Sequence, residues 1–283
     1  IRAITSPGDE IIYHEPCYVS YNPEIKMAHG VPVAVETREE NDFSLDPEDL
    51  EKAITPRTRA ILLNFPCNPT GATLTMEQTK RIAEIAVKHD LIVLADHIYS
   101  ELTYGKMTPS IASLPGMKER TVFLHGFSKA FAMTGFRIGY ACGPREIIDA
   151  MMKIHQYSML CAPITAQEAA LEALRSGLPD MEAMRQEYCD RRNVIVNSFN
   201  SMGLKCFKPQ GAFYVFPNIT SSGLSSMEFA KQLLMSKKVA VVPGSAFGAC
   251  GEGFVRCSYA TSMEGIKEAM AKTAEFVKEL HGK

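Results

Sequence analysis

One lysine of this sequence lies where a lysine could act as a nucleophile. Lys129 is surrounded by small and apolar residues in the segment 128–140 (SKAFAMTGFRIGY), and Arg137 follows it in the same segment. Burial lowers the pKa of a lysine toward that of a neutral amine, which can add to a carbonyl group. A single lysine is more often a solvated surface charge. This segment alone therefore makes Lys129 only a candidate nucleophile.

Three further polar residues adjoin apolar runs. Asn68 begins an N-P-T-G turn just after the run 59–65, Asp96 directly follows the run 91–95, and Arg256 lies inside an apolar strand pattern. Ligands of open α/β sheets bind beyond the carboxyl ends of the strands, which suits the first two residues. Arginine is rarely buried unpaired, and its planar fork fits a carboxylate. Taken singly, these residues could equally be a turn, a helix cap and a structural ion pair.

The first half of the sequence alternates predicted strands with helices. The helix at 75–89 has an N-terminal capping box from Thr75 and Gln78, and it carries apolar residues on one face. This alternation predicts an α/β fold with a mostly parallel sheet and helices on both faces. The predicted strands are Glu10–Tyr13, Val31–Glu36, Arg59–Phe65, Leu91–Ala95, Thr121–His125 and Arg137–Cys142.

The second half has a different pattern. Residues 147–200 are almost entirely helical, with breaks near Pro163 and at 177–179. A smaller α+β unit is predicted beyond them, so we expect a large domain over 1–160 and an interdomain helix with a small C-terminal domain over 161–283. Its predicted strands are Lys205–Phe207, Ala212–Phe216, Val239–Val242 and Phe254–Tyr259, and its predicted helices are 226–238 and one from Ser262.

Composition restricts the class of protein. The 283 residues are 46% hydrophobic and 22% charged, with a formal net charge of −2, so the sequence predicts neither a nucleic-acid partner nor a membrane partner. The eight cysteines are scattered without a C-x-x-C pair, which predicts free thiols in a reducing cytoplasm and no metal site. Residues 9–13 already have the pattern of a strand inside a domain, so we expect a piece of a longer chain.

Together and in this order, the motifs resemble those of fold type I pyridoxal-phosphate-dependent aminotransferases, the class I/II superfamily of aspartate and aromatic aminotransferases. The resemblance extends from residues 7–10 to the C-terminal helix. Its most specific parts are S-K-x-x-x-x-x-G-x-R-x-G at 128–139 and N-P-T-G at 68–71. It implies pyridoxal 5'-phosphate as cofactor, transamination between an L-amino acid and a 2-oxo acid, an aspartate or aromatic donor, and a cytoplasmic homodimer with shared active sites.

The resemblance also implies roles for residues that surround the cofactor ring. Lys129 would bind the cofactor aldehyde as a Schiff base and later move the substrate proton. Asp96 would pair with the pyridinium nitrogen, so that the ring accepts electrons. Asn68 and Tyr99 would both reach the 3' oxygen, and Tyr18 would stack on the ring face.

Two more sets of contacts are implied at the ends of the bound molecules. Arg137 would hold the cofactor phosphate with help from Ser128. Arg256, with Asn68 beside it, would bind the α-carboxylate of the substrate.

The sequence departs from the family at several positions. Gly126 replaces a frequent phosphate-binding serine, and His97 replaces a common glutamate; we expect His97 and His125 to be structural. The family's N-terminal arm, its phosphate-capping turn and a tyrosine that crosses the dimer all precede the point where this sequence begins. Residues 1–283 by themselves are therefore expected to retain the cofactor weakly and to show little activity.

Two other functions stay open at this stage. A carbon–sulfur lyase of the same fold would use the same lysine, aspartate, asparagine and arginine. A non-catalytic sensor domain that binds pyridoxal phosphate would also keep the pocket, although the DNA-binding module that usually accompanies such a domain is not visible in the sequence.

Overall fold

A six-stranded sheet organises the first half of the chain. The computed structural model describes residues 1–105 and 109–282. The strand order is β2-β1-β3-β4-β5-β6, and only β6 runs antiparallel to its neighbour. The mostly parallel α/β fold is therefore confirmed. The strands are β1 (Glu10–Glu15), β2 (Val31–Glu36), β3 (Thr58–Asn64), β4 (Ile92–Asp96), β5 (Thr121–Gly126) and β6 (Gly139–Cys142).

Helices cover both faces of this sheet because its central strands are apolar on both sides. On β3, Ile61 and Leu63 pack into one hydrophobic cluster, whereas Ala60 and Leu62 pack into another. The predicted capping box at Thr75 is present at the start of the third helix. The helices here are α1 (Tyr21–Met27), α2 (Pro47–Lys52), α3 (Met76–Lys88), α4 (Phe127–Ala130) and α5 (Arg145–Ser158).

The second half builds a separate hydrophobic cluster around a small antiparallel sheet. Phe199, Phe229 and Tyr259 are fully buried there. The sheet has the order β7-β9-β8, with β7 (Tyr214–Val215), β8 (Val242–Pro243) and β9 (Val255–Ser258). The helices are α6 (Ile164–Ser176), α7 (Leu178–Ser201), α8 (Ser226–Lys237) and α9 (Met263–His281). Among the described residues, no helix is long and apolar enough to cross a membrane.

The predicted strand at Lys205–Phe207 is wrong. The side chain of Asn200 accepts from the N–H of Cys206 (2.9 Å) and donates to its carbonyl (3.3 Å). The backbone groups of Cys206 are thus satisfied locally by a side chain, and no strand ladder forms at this segment.

Four other predicted strands are shorter than expected. Those at Ala212–Phe216 and Phe254–Tyr259 are reduced to Tyr214–Val215 and Val255–Ser258. The strand predicted from Arg137 begins only at Gly139, because Arg137 has a left-handed backbone (φ 54°, ψ 48°). The strand predicted at Val239–Val242 is reduced to Val242–Pro243. The left-handed backbone of Arg137 matters for function, since it places this residue outside β6.

Candidate active site

A cavity of about 490 Å³ opens at the carboxyl edge of the large sheet. All eight residues that the sequence singled out for cofactor or substrate binding line it: Tyr18, Asn68, Asp96, Tyr99, Ser128, Lys129, Arg137 and Arg256. The parallel strands β3, β4 and β5 all end at this edge, so the loops after them meet although they are far apart in sequence. Its other lining residues are Tyr21, Asn64, Ile98, Leu124, His125, Thr134 and Tyr214.

Asp96 lines this cavity, and hydrogen bonds hold both oxygens of its carboxylate. Its Oδ2 accepts from the Tyr21 hydroxyl (2.7 Å), and its Oδ1 accepts from the Ile98 N–H (3.0 Å). Burial raises the pKa of Asp96, while these two hydrogen bonds and the nearby His125 act in the opposite direction. Within the described parts of the chain, no lysine or arginine forms an ion pair with Asp96. The site therefore offers an anionic group to a cationic ligand atom.

Lys129 lies in the short helix α4, directly after β5. Its Nζ lies 5.7 Å from the centroid of the Phe213 ring, and the residue is half-buried. Burial lowers the pKa of Lys129, and the positive charges of Arg137 and Arg256 lower it further. No carboxylate among the described residues is paired with Lys129. The lowered pKa therefore gives Lys129 a larger fraction of neutral amine than an exposed lysine has.

Arg137 adds a positive charge at the exposed mouth of the cavity. Its left-handed backbone follows a short 3₁₀ turn at Thr134–Phe136, and its Nη1 donates to the carbonyl of Thr134 (2.7 Å). Ser128 lines the same cavity and precedes Lys129 in α4. A guanidinium and a hydroxyl at a solvent-facing mouth suit a phosphate group.

Arg256 and Asn68 bring the second half of the chain to the cavity. Nη1 of Arg256 donates to Oδ1 of Asn68 (3.0 Å). The guanidinium lies between the rings of Tyr214 (4.6 Å) and Phe247 (4.8 Å). Its buried Nε has no hydrogen-bond partner among the described residues. A buried, unpaired donor of this kind fits a ligand carboxylate.

The two remaining predicted residues have different environments. Tyr99 is buried, and its hydroxyl lies 3.0 Å from the hydroxyl of Tyr214. Tyr18 is 42% exposed, and its ring packs edge-on against Tyr21 at 5.6 Å. An exposed aromatic face beside the Asp96 carboxylate can stack on a planar ligand.

The two histidines that the sequence predicts to be structural, His97 and His125, lie near Asp96. His97 faces away from the cavity: Nδ1 lies 2.8 Å from the Ser100 hydroxyl, and Nε2 lies 3.2 Å from the Ser110 hydroxyl. Burial lowers the pKa of His97 to about 4, so it is neutral near neutral pH. His125 lines the cavity and bonds through Nε2 to Glu101 (2.8 Å).

The sequence did not single out Tyr21, Asn64, Phe213 or Tyr214. Tyr21 is far from Asp96 in sequence, so no spacing rule connects the two. Asn64 ends β3, and its Nδ2 donates to the carbonyl of Asp96 (3.2 Å). Asn64 could have been predicted, because it is a polar residue at the end of an apolar strand pattern. Tyr214 could be identified only from the pairing of β7 with β9.

The donor set fits pyridoxal 5'-phosphate. A carboxylate can meet its ring nitrogen, an amine its aldehyde, and a guanidinium its phosphate. The chain matches the family model described as aminotransferase class I and II over residues 1–272 and belongs to that family.

Individual relatives agree with this assignment. The aspartate aminotransferase of Pyrococcus abyssi is 46% identical over 282 residues, covering 99% of this chain and 72% of the relative. An aromatic-amino-acid aminotransferase of Thermococcus litoralis is 47% identical over 275 residues, covering 96% and 71%. The crystal structure of an aromatic aminotransferase from Pyrococcus horikoshii is 46% identical, with a TM-score of 0.96 over 98% of this chain and 75% of that one. The protein is a pyridoxal-phosphate-dependent aminotransferase, which exchanges an amino group between an amino acid and a 2-oxo acid.

The Tyr21→Phe variant tests the support of Asp96. Because the Tyr21 hydroxyl lowers the pKa of Asp96, its loss raises that pKa, and Asp96 becomes protonated at a higher pH. We expect cofactor affinity to fall by roughly tenfold and its loss on acidification to begin at a higher pH. Titration of cofactor absorbance between about pH 5 and 8 measures both effects.

Tyr140→Phe is the matched control, because Tyr140 is exposed and does not line the cavity. Its binding curve should coincide with that of the unmodified chain. Identical acid limbs for Tyr21→Phe and the unmodified chain would show that the hydrogen bond does not tune Asp96.

Proposed function

We propose that this cavity performs the transamination, with Lys129 as the residue that binds the cofactor and moves the proton. The observation that supports this most directly is that one cavity is lined by the Asp96 carboxylate, the Lys129 amine and the guanidinium groups of Arg137 and Arg256. When bound, pyridoxal 5'-phosphate supplies an electron sink that stabilises negative charge at the substrate α-carbon.

Lys129 acts first as the nucleophile and then as the base. Its lowered pKa provides the neutral amine that attacks an aldehyde carbon. With substrate bound, the Lys129 amine would take the proton from the substrate α-carbon and hold it at Nζ for return to the bound molecule.

Asp96 keeps the ring nitrogen protonated. The Tyr21 and Ile98 donors hold its two oxygens in place, so the carboxylate needs no rearrangement to meet a cation. The peptide carbonyl of Asp96 is in turn held by Asn64. The cost of burying this charge is offset when the ring nitrogen arrives.

The other side chains fix the orientation of the cofactor. Arg137 and Ser128 hold the phosphate, and Tyr18 stacks on the ring. Asn68 and Tyr99 donate hydrogen bonds to the ring oxygen. Each group lines the one cavity, so a single ring can meet all of them.

Arg256 binds the α-carboxylate of the substrate, with Asn68 beside it. Its unpaired Nε and its remaining N–H groups can form a two-pronged contact with a carboxylate. Holding the carboxylate fixes which bond at the α-carbon faces Lys129, and orientation of this kind supplies much of the rate acceleration.

The Lys129→Ala and Lys129→Arg variants test the nucleophile. Both remove the amine that can attack an aldehyde, whereas Lys129→Arg keeps the positive charge. We expect transaminase kcat to fall at least ~1000-fold in both, because covalent and proton-transfer steps are lost together. Borohydride reduction of the loaded chain followed by peptide mass analysis should find the cofactor on Lys129 in the unmodified chain only. A reducible covalent link in Lys129→Ala would contradict the assignment.

The donor is proposed to be aspartate or an aromatic L-amino acid. Support comes from the relatives named aspartate aminotransferase and aromatic-amino-acid aminotransferase. A panel of amino donors with 2-oxoglutarate should give its highest kcat/KM with one of these two classes.

Arg256→Met should raise KM for every donor by roughly 10- to 100-fold, because the α-carboxylate is common to all of them.

The panel also separates the alternatives. Release of pyruvate and ammonia from a sulfur amino acid without an acceptor would favour the carbon–sulfur lyase. Binding of the cofactor with no product from any donor would favour the sensor domain.

We also propose that the chain forms a homodimer with shared active sites. Apolar side chains are exposed on α5, on the link to α6 and at the first residue of α6, including Tyr157 at 87%, Leu160 at 76% and Ile164 at 66%. Contiguous exposed apolar surface of this kind is typical of an interface.

Leu160→Glu is expected to shift the dimer toward monomer in sedimentation equilibrium. Met235→Glu, at a similarly exposed position on α8, should leave the dimer intact; equal masses for the two variants would refute this interface.

The proposed domain division is a large, cofactor-binding domain over 1–160 and a small one over 161–283. It is supported by the separate hydrophobic cluster of the second half.

A cytoplasmic location is supported by the eight cysteines, all of which are free thiols.

A further inference from the structure

We propose that Tyr214 is a positioning residue that joins the cofactor end of the site to its substrate end. It would do so through two contacts, one with the hydroxyl of Tyr99 and one with the guanidinium of Arg256. This inference rests on the proposed function, in which Tyr99 meets the ring oxygen of the cofactor and Arg256 meets the substrate carboxylate.

The pairing of two short strands brings Tyr214 to Arg256. Tyr214 in β7 lies opposite Ser258 in β9. Alternate residues of a strand share a face, so Arg256 lies on the same face as Ser258 and beside Tyr214. The guanidinium carbon is 4.6 Å from the centroid of the Tyr214 ring, with Phe247 on its other side at 4.8 Å. The ring thus fixes the plane of the guanidinium without using any of its N–H donors.

The other end of the same side chain meets Tyr99. The two hydroxyls are 3.0 Å apart, and both side chains are buried. Tyr99 precedes the 3₁₀ turn Ser100–Leu102 that follows β4, so this hydrogen bond, like that between Arg256 and Asn68, connects the large sheet with the small one. Tyr214 itself lines the cavity between Asn68 and Arg256 on one side and Tyr99 on the other.

The direction of the hydrogen bond follows from the surrounding charges. Burial raises the pKa of Tyr214, but the Tyr99 hydrogen bond and the Arg256 charge oppose that rise. Burial also raises the pKa of Tyr99, and Tyr214 raises it further. Tyr18 and Tyr188 also act on Tyr214. Because the Arg256 guanidinium packs on the ring of Tyr214 and its positive charge favours an acidic hydroxyl there, we take Tyr214 as the donor and Tyr99 as the acceptor.

This direction determines what Tyr99 can do. A tyrosine hydroxyl has one hydrogen to donate. If Tyr214 donates to Tyr99, the hydrogen of Tyr99 stays free to point into the cavity, where the ring oxygen of the cofactor would accept it. Donation in a chain also strengthens each bond in it. Tyr214 therefore acts on the cofactor through Tyr99 and on the substrate through Arg256.

Two variants of Tyr214 separate these contacts. Tyr214→Phe keeps the ring against Arg256 and removes the hydroxyl, whereas Tyr214→Leu removes both. The cofactor-loaded chain is titrated with pH, and the midpoint of its visible absorbance change is recorded. A weaker donor to the ring oxygen disfavours the deprotonated form, so Tyr214→Phe should raise the midpoint by about 0.3 to 1 pH unit. Its KM for the donor should be nearly unchanged, while Tyr214→Leu should also raise KM roughly threefold to tenfold.

Replacement of Tyr214 by 3-fluorotyrosine gives a test that keeps the ring and the hydroxyl. Fluorine makes the hydroxyl a stronger donor, so the midpoint should move downward, opposite to Tyr214→Phe. In a Tyr99→Phe background, Tyr214→Phe should cause no further shift of the midpoint, because the connecting hydroxyl is already absent.

Tyr104→Phe is the matched control. Its hydroxyl bonds to the Ala212 carbonyl and to the Tyr259 hydroxyl, outside the cavity. It should lower the unfolding temperature without moving the absorbance midpoint. Suppose that the visible band of the unmodified chain titrates with pH and that Tyr214→Phe has the same midpoint. That result would overturn this inference and leave the proposed function standing. Absence of that band in the unmodified chain would overturn the proposed function, and this inference with it.

Discussion

The site depends on a partly buried carboxylate that pairs with no lysine or arginine among the described residues. Asp96 ends a central strand of a mostly parallel sheet, at the edge where the neighbouring strands also end. Its oxygens accept from Tyr21 and Ile98, and its peptide carbonyl accepts from Asn64, yet no described lysine or arginine pairs with it. Burying such a charge is unfavourable by itself. The surrounding structure tolerates this cost through hydrogen bonds that hold the carboxylate ready for a cation, and the positive side chains are kept at other places around the cavity.

The separation of charges in the cavity gives each end a distinct chemistry. The negative charge lies at the floor, Arg137 lies at the solvent-facing mouth, and Arg256 enters from the second half of the chain. Lys129 lies near both arginines, whose charges oppose its own protonation. The arrangement therefore supplies two anion sites and one amine of lowered basicity around a single carboxylate. A ring that carries a phosphate at one position and a basic nitrogen at another matches this distribution better than an acyclic ligand would.

Much of the fold and the site could be predicted from the sequence, and the failures have physical causes. The central strands β1, β3 and β4 are apolar on both faces, so their positions are legible from runs of Ile, Leu and Val. Asn68 and Asp96 follow such strands and Lys129 follows β5, which made their convergence predictable. The strand expected at Lys205–Phe207 does not form, because the Asn200 side chain takes the backbone partners of Cys206. Tyr21 and Tyr214 were missed since their contacts depend on tertiary pairings over long sequence distances, which no local pattern encodes.

The pairing of β7 with β9 has a consequence for how the chain tolerates change. Phe213 and Tyr214 are adjacent, and the first contacts Lys129 whereas the second contacts Arg256 and Tyr99. Consecutive strand residues point to opposite faces, so a slip of one residue in the pairing of β7 with β9 would turn Tyr214 away from Arg256. The register of the small sheet therefore sets the geometry of the site. A molecule with shifted strand register could keep its apolar core and still lose that geometry. Insertions or deletions between β7 and β9 are compatible with activity only if the register of these few residues is preserved.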